Sequence, residues 1–338
     1  MRIAKTLLAA ALTVATFAPI ASASAATICL YDPAGKSGDY YRLVSDFALD
    51  TASWGTTIEV KAYTDEQTAT KDYEAGACDG VVATGVRLQR FNNFPSTIEA
   101  IGAVPSYDVL RGMVRTLATS DGAAKKLRSG EHETVGIIPV GAAYLFVRDR
   151  NVDSVPELGG LRIATMDYDK AAPVMVDRVG AVMVGADLGS IGPKFNNGDV
   201  DACYMSAPGY KPFELEKGLN NGKTKGGILR APLAQGTLQL MIRHGSFPAD
   251  FGKRARGWFA DHFDVALAHV LKAESEIPAS AWIDVPPARV AEWDDMFLGV
   301  RLKLRDDVGA YDGQMLTVLR QMRCQADGAR AECAEKKE

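Results

Sequence analysis

Two similar α/β lobes, each an open and mainly parallel sheet flanked by helices, with C-terminal helices bracing them, is the architecture this sequence predicts. Two observations carry the prediction. The first is an internal echo: Phe195-Asn196-Asn197-Gly198-Asp199-Val200-Asp201-Ala202-Cys203-Tyr204-Met205-Ser206 repeats the pattern of Tyr73-Glu74-Ala75-Gly76-Ala77-Cys78-Asp79-Gly80-Val81-Val82-Ala83-Thr84. Each copy has an aromatic residue three places before a glycine and an aspartate three places after it, then a short apolar run ending in Thr or Ser. That reads as a helix stopped at a left-handed glycine, followed by a buried strand. The second is the alternation of short β-rich runs with helical periods upstream of each copy, which an open parallel sheet requires.

The opening residues are set aside first. Arg2 and Lys5 precede an uncharged run from Thr6 to Ala26 containing Ala21-Ser22-Ala23-Ser24-Ala25, so residues 1–25 read as a cleaved secretory signal peptide, and the mature chain is expected in the periplasm. About 310 residues remain, enough for two domains. No later stretch has the roughly 20 apolar residues of a membrane span. The formal net charge of −4 falls to −6 once Arg2 and Lys5 are lost, and with no basic run a nucleic-acid partner is excluded.

The first lobe is expected over 26–143. Thr27–Tyr31 is a buried strand and Asp32-Pro33-Ala34-Gly35-Lys36-Ser37-Gly38 the turn after it. Tyr40, Val44, Phe47, Thr51 and Trp54 recur at helical steps up to Gly55. Ile58, Val60 and Ala62 alternate with charged residues as a strand. Thr64, with Gln67 three places on, starts a helix through Ala75 by a capping box, and the first echo strand follows. Ser106–Leu127 is helical, and Val135–Val140 and Ala143–Val147 are β-rich.

The second lobe, 144–234, is inserted within the first. Ser154-Val155-Pro156-Glu157 is another capping box, ending at Gly159-Gly160; Leu161–Thr165, Ala181–Val184 and the second echo supply strands. A return segment, 235–285, opens with the strand Gln235–Ile242 and contains a helix over Trp258–Leu271. Within 286–338, Trp293, Phe297, Val300 and Leu304 mark one helix and Met315, Leu319 and Met322 another. Cys324 and Cys333 flank Gly328 and would staple the tail. Cys29 and Cys78 fall at strands of the first lobe that a parallel sheet can make neighbours and are a second candidate disulfide, leaving Cys203 buried and odd.

In open α/β sheets ligands bind beyond the C-terminal strand ends. That places Tyr31, Asp32, Lys36, Thr84 and Arg87 in the first lobe, and Thr165, Met166, Tyr204, Ser206 and Pro208 in the second, around a small polar ligand. The same residue types also serve as caps and turns. Enzyme signatures fail. Gly35-Lys36-Ser37 imitates the end of a phosphate-binding loop, but its first glycine position is Leu30. No Gly-x-Ser-x-Gly elbow occurs. His132, His244, His262 and His269 lack close metal-ligand spacing; His262 and His269, two turns apart, fit capping or surface roles better than a metal. No catalytic residue, metal or cofactor is assigned. Cys203 is a conceivable nucleophile, though an apolar setting would make it inert.

The paired aromatic-x-x-Gly-x-x-Asp units resemble the type II periplasmic solute-binding proteins. Ser154-Val155-Pro156-Glu157-Leu158-Gly159-Gly160-Leu161-Arg162-Ile163 is similar to the segment opening the second lobe in receptors of tripartite ATP-independent (TRAP) transporters. The start Cys29-Leu30-Tyr31-Asp32, Gly76-Ala77-Cys78-Asp79, Val200-Asp201-Ala202-Cys203-Tyr204 and the Arg323-Cys324 ending resemble a narrower subfamily of solute-binding proteins. Its members are often described as components of RND-type efflux pumps linked to aminoglycoside resistance. The resemblance implies a two-lobed receptor that closes by hinge motion on a small solute and delivers it to inner-membrane transporter subunits. The alternative is a non-transporting adaptor serving efflux-system proteins. One departure bears on the ligand: the arginine that grips the ligand carboxylate in TRAP receptors corresponds here to Ala164, and Arg162 lies near the strand's start. A carboxylate ligand would then need Arg87 or Lys36.

Overall fold

Residues 25–222 and 225–338 are described by the computed structural model; the expected signal peptide, residues 1–25, lies outside them apart from Ala25. Strand β1 (Ala26–Tyr31) is apolar on both faces, with Ile28, Cys29 and Leu30 fully buried, as an interior parallel strand must be. Helix Asp39–Ala52 follows, burying Leu43, Val44, Phe47 and Thr51 as one stripe. Then come β2 (Ile58–Tyr63), helix Glu66–Glu74 and β3 (Gly80–Thr84), both strands parallel to β1. The capping box expected at Thr64 is displaced by one residue. Asp65 is the N-cap, its carboxylate accepting from the Thr68 N–H at 2.7 Å, because the carboxylate is a strong cap and its charge suits the positive end of the helix.

The short β4 (Arg128–Ser129) leads into β5 (His132–Val147). The two β-rich runs expected at 135–140 and 143–147 are thus one strand of 16 residues. It stays continuous because Gly141 takes a φ of +111° beside a register shift: Gly236 pairs with Gly141 and Thr237 with Pro139, leaving Val140 as the extra residue of a bulge. Next come β6 (Arg162–Met166), β7 (Val182–Ala186), β8 (Ala202–Ser206), β9 (Gly227–Leu229), β10 (Ala234–Arg243) and β11 (Trp282–Ile283). Among the described residues the main sheet runs β2-β1-β3-β10-β5-β8-β6-β7. Its two outer blocks are parallel, whereas β10 runs antiparallel to β3 and β5, and β5 antiparallel to β8. The fold is therefore a two-lobed α/β fold whose lobes share the crossing strands β5 and β10.

The internal echo is geometrically real. Gly76 and Gly198 have φ of +78° and +82°, and Tyr73 and Phe195 are fully buried. Asp79 and Asp201 do the same work in each lobe. The Asp79 carboxylate accepts from the Thr27 N–H and the Asp201 carboxylate from the Arg162 N–H, each at 2.9 Å, and each aspartate's own N–H donates back to that residue's carbonyl. The motif thus locks the echo strand to the first strand of its lobe.

The helix expected over Trp258–Leu271 is two helices, Phe251–Asp261 and Phe263–Glu276, broken at His262. That imidazole stacks on Trp258 at 3.7 Å and its Nδ1 meets the Trp258 carbonyl at 2.8 Å, competing for the turn's hydrogen bonding. Helix Pro287–Asp306 packs on helix Ala171–Arg178 of the second lobe, and helix Gly313–Ala326 on helix Tyr107–Thr119 of the first. The C-terminal helices brace both lobes through one shared apolar core. Disulfides join Cys29 to Cys78 and Cys324 to Cys333, and Cys203 is a buried free thiol.

Candidate functional site

Thr84 ends β3 and caps the next turn, its hydroxyl accepting from the Arg87 N–H at 3.3 Å. The first N–H groups of that turn, together with Thr237, converge on Glu99. Its carboxylate accepts from Gly85 N (3.1 Å), Val86 N (2.7 Å), Thr237 N (2.7 Å) and Thr237 Oγ1 (2.6 Å). Burial pushes Glu99 up to about 7, even though these four donors favour the ionised form. A side chain at residue 85 would put Cβ 2.7 Å from the Glu99 carboxyl carbon, so the approach needs glycine.

A second, half-buried carboxylate sits across the gap. The loop after β6 carries Tyr168 and Asp169. Asp169 accepts from Ala171 N (2.7 Å), Ala172 N (3.3 Å) and the Tyr204 hydroxyl (3.1 Å), and burial raises its pKa. Tyr204, on β8, also accepts from Met166 N at 3.1 Å, which ties β8 to the end of β6.

Between these groups lies a cavity of about 190 Å³, large against the roughly 10–15 Å³ that one water needs by this measure. The first lobe contributes Thr84, Val86, Ser96, Glu99 and Ile101; the second contributes Met166, Tyr168, Asp169, Met175, Tyr204 and Ser206. The crossing strands add Val140, Gly141, Gln235 and Thr237, and the loop between the bracing helices adds Tyr311. Gln235 is 1% exposed and its Oε1 has no hydrogen-bond partner. Carbon surface dominates, and among the described residues no lysine, arginine or histidine lines the cavity.

A clamp closes one side of the gap. The Tyr168 hydroxyl donates to Glu66 Oε2 at 3.1 Å, and the Arg87 guanidinium lies 3.5 Å over the Tyr168 ring while its Nε pairs with the same carboxylate oxygen at 3.1 Å. Glu66 belongs to the first lobe and Tyr168 to the second, so these contacts bridge the two.

Of the residues expected at the site, Thr84, Met166, Tyr204 and Ser206 line the cavity. Arg87 is held in the clamp beside it. Pro208 stands behind Gly141, with Cδ 3.6 Å from where a Cβ there would lie. Thr165 and Tyr31 are buried, and Asp32 accepts from Ala34 N and Tyr41 N as a turn-organising group. Lys36 is exposed on that turn. Arg162 binds Asp201 and the Gly198 carbonyl at the far end of β6 and does not line the cavity, and Ala164 is fully buried. The cavity residues not anticipated include Glu99, Asp169, Gln235, Thr237 and Tyr311. Two signals for them were available: Glu99 is the one charged residue in the mainly apolar run 94–104, and Gln235, Thr237 and Gln239 put polar groups on one face of an apolar strand.

A family model described as "Solute-binding protein AdeT 1/2" matches residues 45–338. The chain belongs to the AdeT 1/2 solute-binding protein family. Among its relatives, "Probable solute-binding protein AdeT1" of Acinetobacter baumannii is 36% identical over 305 residues, covering 90% of this chain and 99% of the relative. "Probable solute-binding protein AdeT2" of the same organism is 26% identical over 233 residues, covering 69% and 96%. Similar folds occur in crystal structures of TRAP periplasmic solute binding proteins. One from Ralstonia eutropha H16 with bound (S)-2-acetolactate has a TM-score of 0.71 at 13% identity, covering 89% of this chain and 99% of that one. Another, from Desulfovibrio salexigens with bound orotic acid, has a TM-score of 0.69 at 12% identity, covering 89% and 98%. The AdeT family is thus a solute-binding family on the TRAP-receptor fold.

Proposed function

We propose that this AdeT-family protein is a periplasmic solute receptor. It captures a small solute in the cavity between residues 26–143 and 144–234, closes about the crossing strands, and hands the solute to a membrane transporter. The observation that carries the reading is the cavity itself, which lies where both sets of strand ends meet and takes lining residues from both lobes and from β5 and β10. Closure follows from the clamp. Tyr168 meets Glu66 and Arg87 across the gap, contacts that separating the lobes would break, so a ligand touching both lobes favours the closed state by the contacts it adds there. The bulge at Val140 and the facing glycines 141 and 236 give the crossing strands a place to bend. No helix among the described residues is long and apolar enough to cross a membrane, which fits a receptor that works with separate transporter subunits. The cavity favours this reading over a non-transporting adaptor, for which a roomy enclosed site has no use.

Native mass spectrometry of gently purified protein, followed by thermal-shift screening of small acids, amines and polyols, tests the proposal. A co-purified small molecule, or stabilisation by one chemical class, supports it. A protein that neither carries nor responds to any small solute refutes it.

A further inference from the structure

The cavity's chemistry bears on the class of solute, and this inference rests on the solute-receptor reading above. Among the described residues its only formally charged lining groups are the carboxylates of Glu99 and Asp169. Neither has an ion pair with a lysine, arginine or histidine among the described residues; their hydrogen-bond donors are backbone N–H groups and hydroxyls. The nearby guanidinium, Arg87, is already committed to Glu66 and the Tyr168 ring. The carboxylate-gripping position on β6 is the fully buried Ala164. Gln235 adds a buried acceptor oxygen without a partner. Tyr168, Tyr204 and Tyr311 add aromatic surface, and aromatic faces attract cations. Acceptors and negative charge therefore converge on a space otherwise walled by carbon, with no cation to balance them.

We infer that the solute is a small organic cation, an amine or ammonium compound with an apolar body, held by Glu99 and Asp169 and excluded from being a simple carboxylate. An entering carboxylate would meet the like charges of buried Glu99 and half-buried Asp169, with no compensating cation among the described lining residues, an unfavourable juxtaposition at low dielectric. An ammonium supplies the donors that the acceptor surface lacks, through charge-assisted hydrogen bonds. Its carbon body covers Val140, Met166 and Met175. The volume suits a solute of on the order of ten non-hydrogen atoms.

The test compares three matched panels on the full mature protein at pH 8: short alkyl and aryl-alkyl monoamines, the corresponding carboxylates, and neutral alcohols of equal size. Thermal shift is read first and calorimetry second. The expected result is stabilisation by amines alone, with affinity reduced roughly tenfold or more in Asp169→Asn and in Glu99→Gln. Because Glu99→Gln disturbs four hydrogen bonds and risks misfolding, the wild-type comparison and Asp169→Asn stand without it. Stabilisation by carboxylates or alcohols but not amines overturns the charge inference and leaves the receptor reading intact. Silence from all three panels, with no co-purified solute, overturns both.

Discussion

Protonation of Glu332 should loosen the C-terminal tail as the solution is acidified. The tail is tied down by a buried cluster in which Arg301 Nη2 pairs with Glu332 at 2.6 Å and Arg323 Nε at 2.9 Å, while both arginines also pair with Glu338. The two guanidinium groups also donate to the carbonyls of Ile101 and Ala103, at 2.8 and 2.7 Å, so the tail is coupled to the segment carrying Glu99 and Ile101 of the cavity wall. Burial by itself would raise the Glu332 pKa, but Arg323 and Arg301 outweigh it and hold the carboxyl down at about 2, against an ordinary value of 4.5. A shift of that size corresponds to about 3 kcal/mol of folding free energy. Between those two values the unfolded chain binds a proton that the native state does not. The contribution is therefore complete above about pH 4.5, about 2 kcal/mol of it is gone by pH 3, and the rest is lost towards pH 2. Urea unfolding followed by tryptophan fluorescence, with the disulfides intact, should show this in the wild type. At pH 7 Glu332→Gln should cost about 3–5 kcal/mol, since it leaves buried guanidinium charge under-compensated, and its deficit relative to wild type should narrow at pH 3. A deficit as large at pH 3 as at pH 7 would refute the reasoning.

Cys203 is fully buried and burial pushes its thiol well above the ordinary range; a thiol-specific chromogenic reagent should leave the native protein unlabelled and modify one thiol per mature chain after unreduced unfolding. Labelling under native conditions would show the thiol to be accessible. Gly141→Ala should destabilise by about 1–3 kcal/mol, because its φ of +111° suits glycine and the new Cβ would lie 2.8 Å from Val270. Gly257→Ala, in a helix with open space around it, should instead gain up to about 1 kcal/mol; equal effects in melting experiments would contradict the contrast. Tyr168→Phe keeps the stack on Arg87 but removes the bond to Glu66, which should reduce the closed population relative to the open one by roughly tenfold or more. Small-angle scattering should report a larger radius of gyration, and an unchanged profile would show that the clamp does not hold the lobes.

The lobe plan was readable because local signals repeat. A left-handed glycine after a helix and an aspartate that ties two strands impose the same residues wherever that geometry recurs, so Tyr73–Thr84 and Phe195–Ser206 betrayed one another. The bulge at Val140 was not readable, since a bulge depends on the register of the partner strand β10, about 100 residues away. The N-cap at Asp65 was missed by one place because Thr64 and Asp65 both satisfy the capping pattern locally.

The site divided along the same line. Thr84, Met166, Tyr204 and Ser206 were legible because position at a strand's C-terminal end is a topological property, and topology followed from the order of elements. Glu99 and Gln235 stood out as polar residues in apolar surroundings, but their place in the site, like that of Tyr311, was not legible, because a short helical turn, a crossing strand and a bracing segment meet only in three dimensions. Sequence by itself determined the order of the principal elements and the substitution of Ala164 for an arginine, and it offered the two cysteine pairs as candidates that the fold then brought within bonding distance. Which charges face the cavity was decided by the tertiary structure alone. Arg87 could have served as the ligand's counter-ion until packing gave it to Glu66 and Tyr168, and that pairing leaves the cavity acidic.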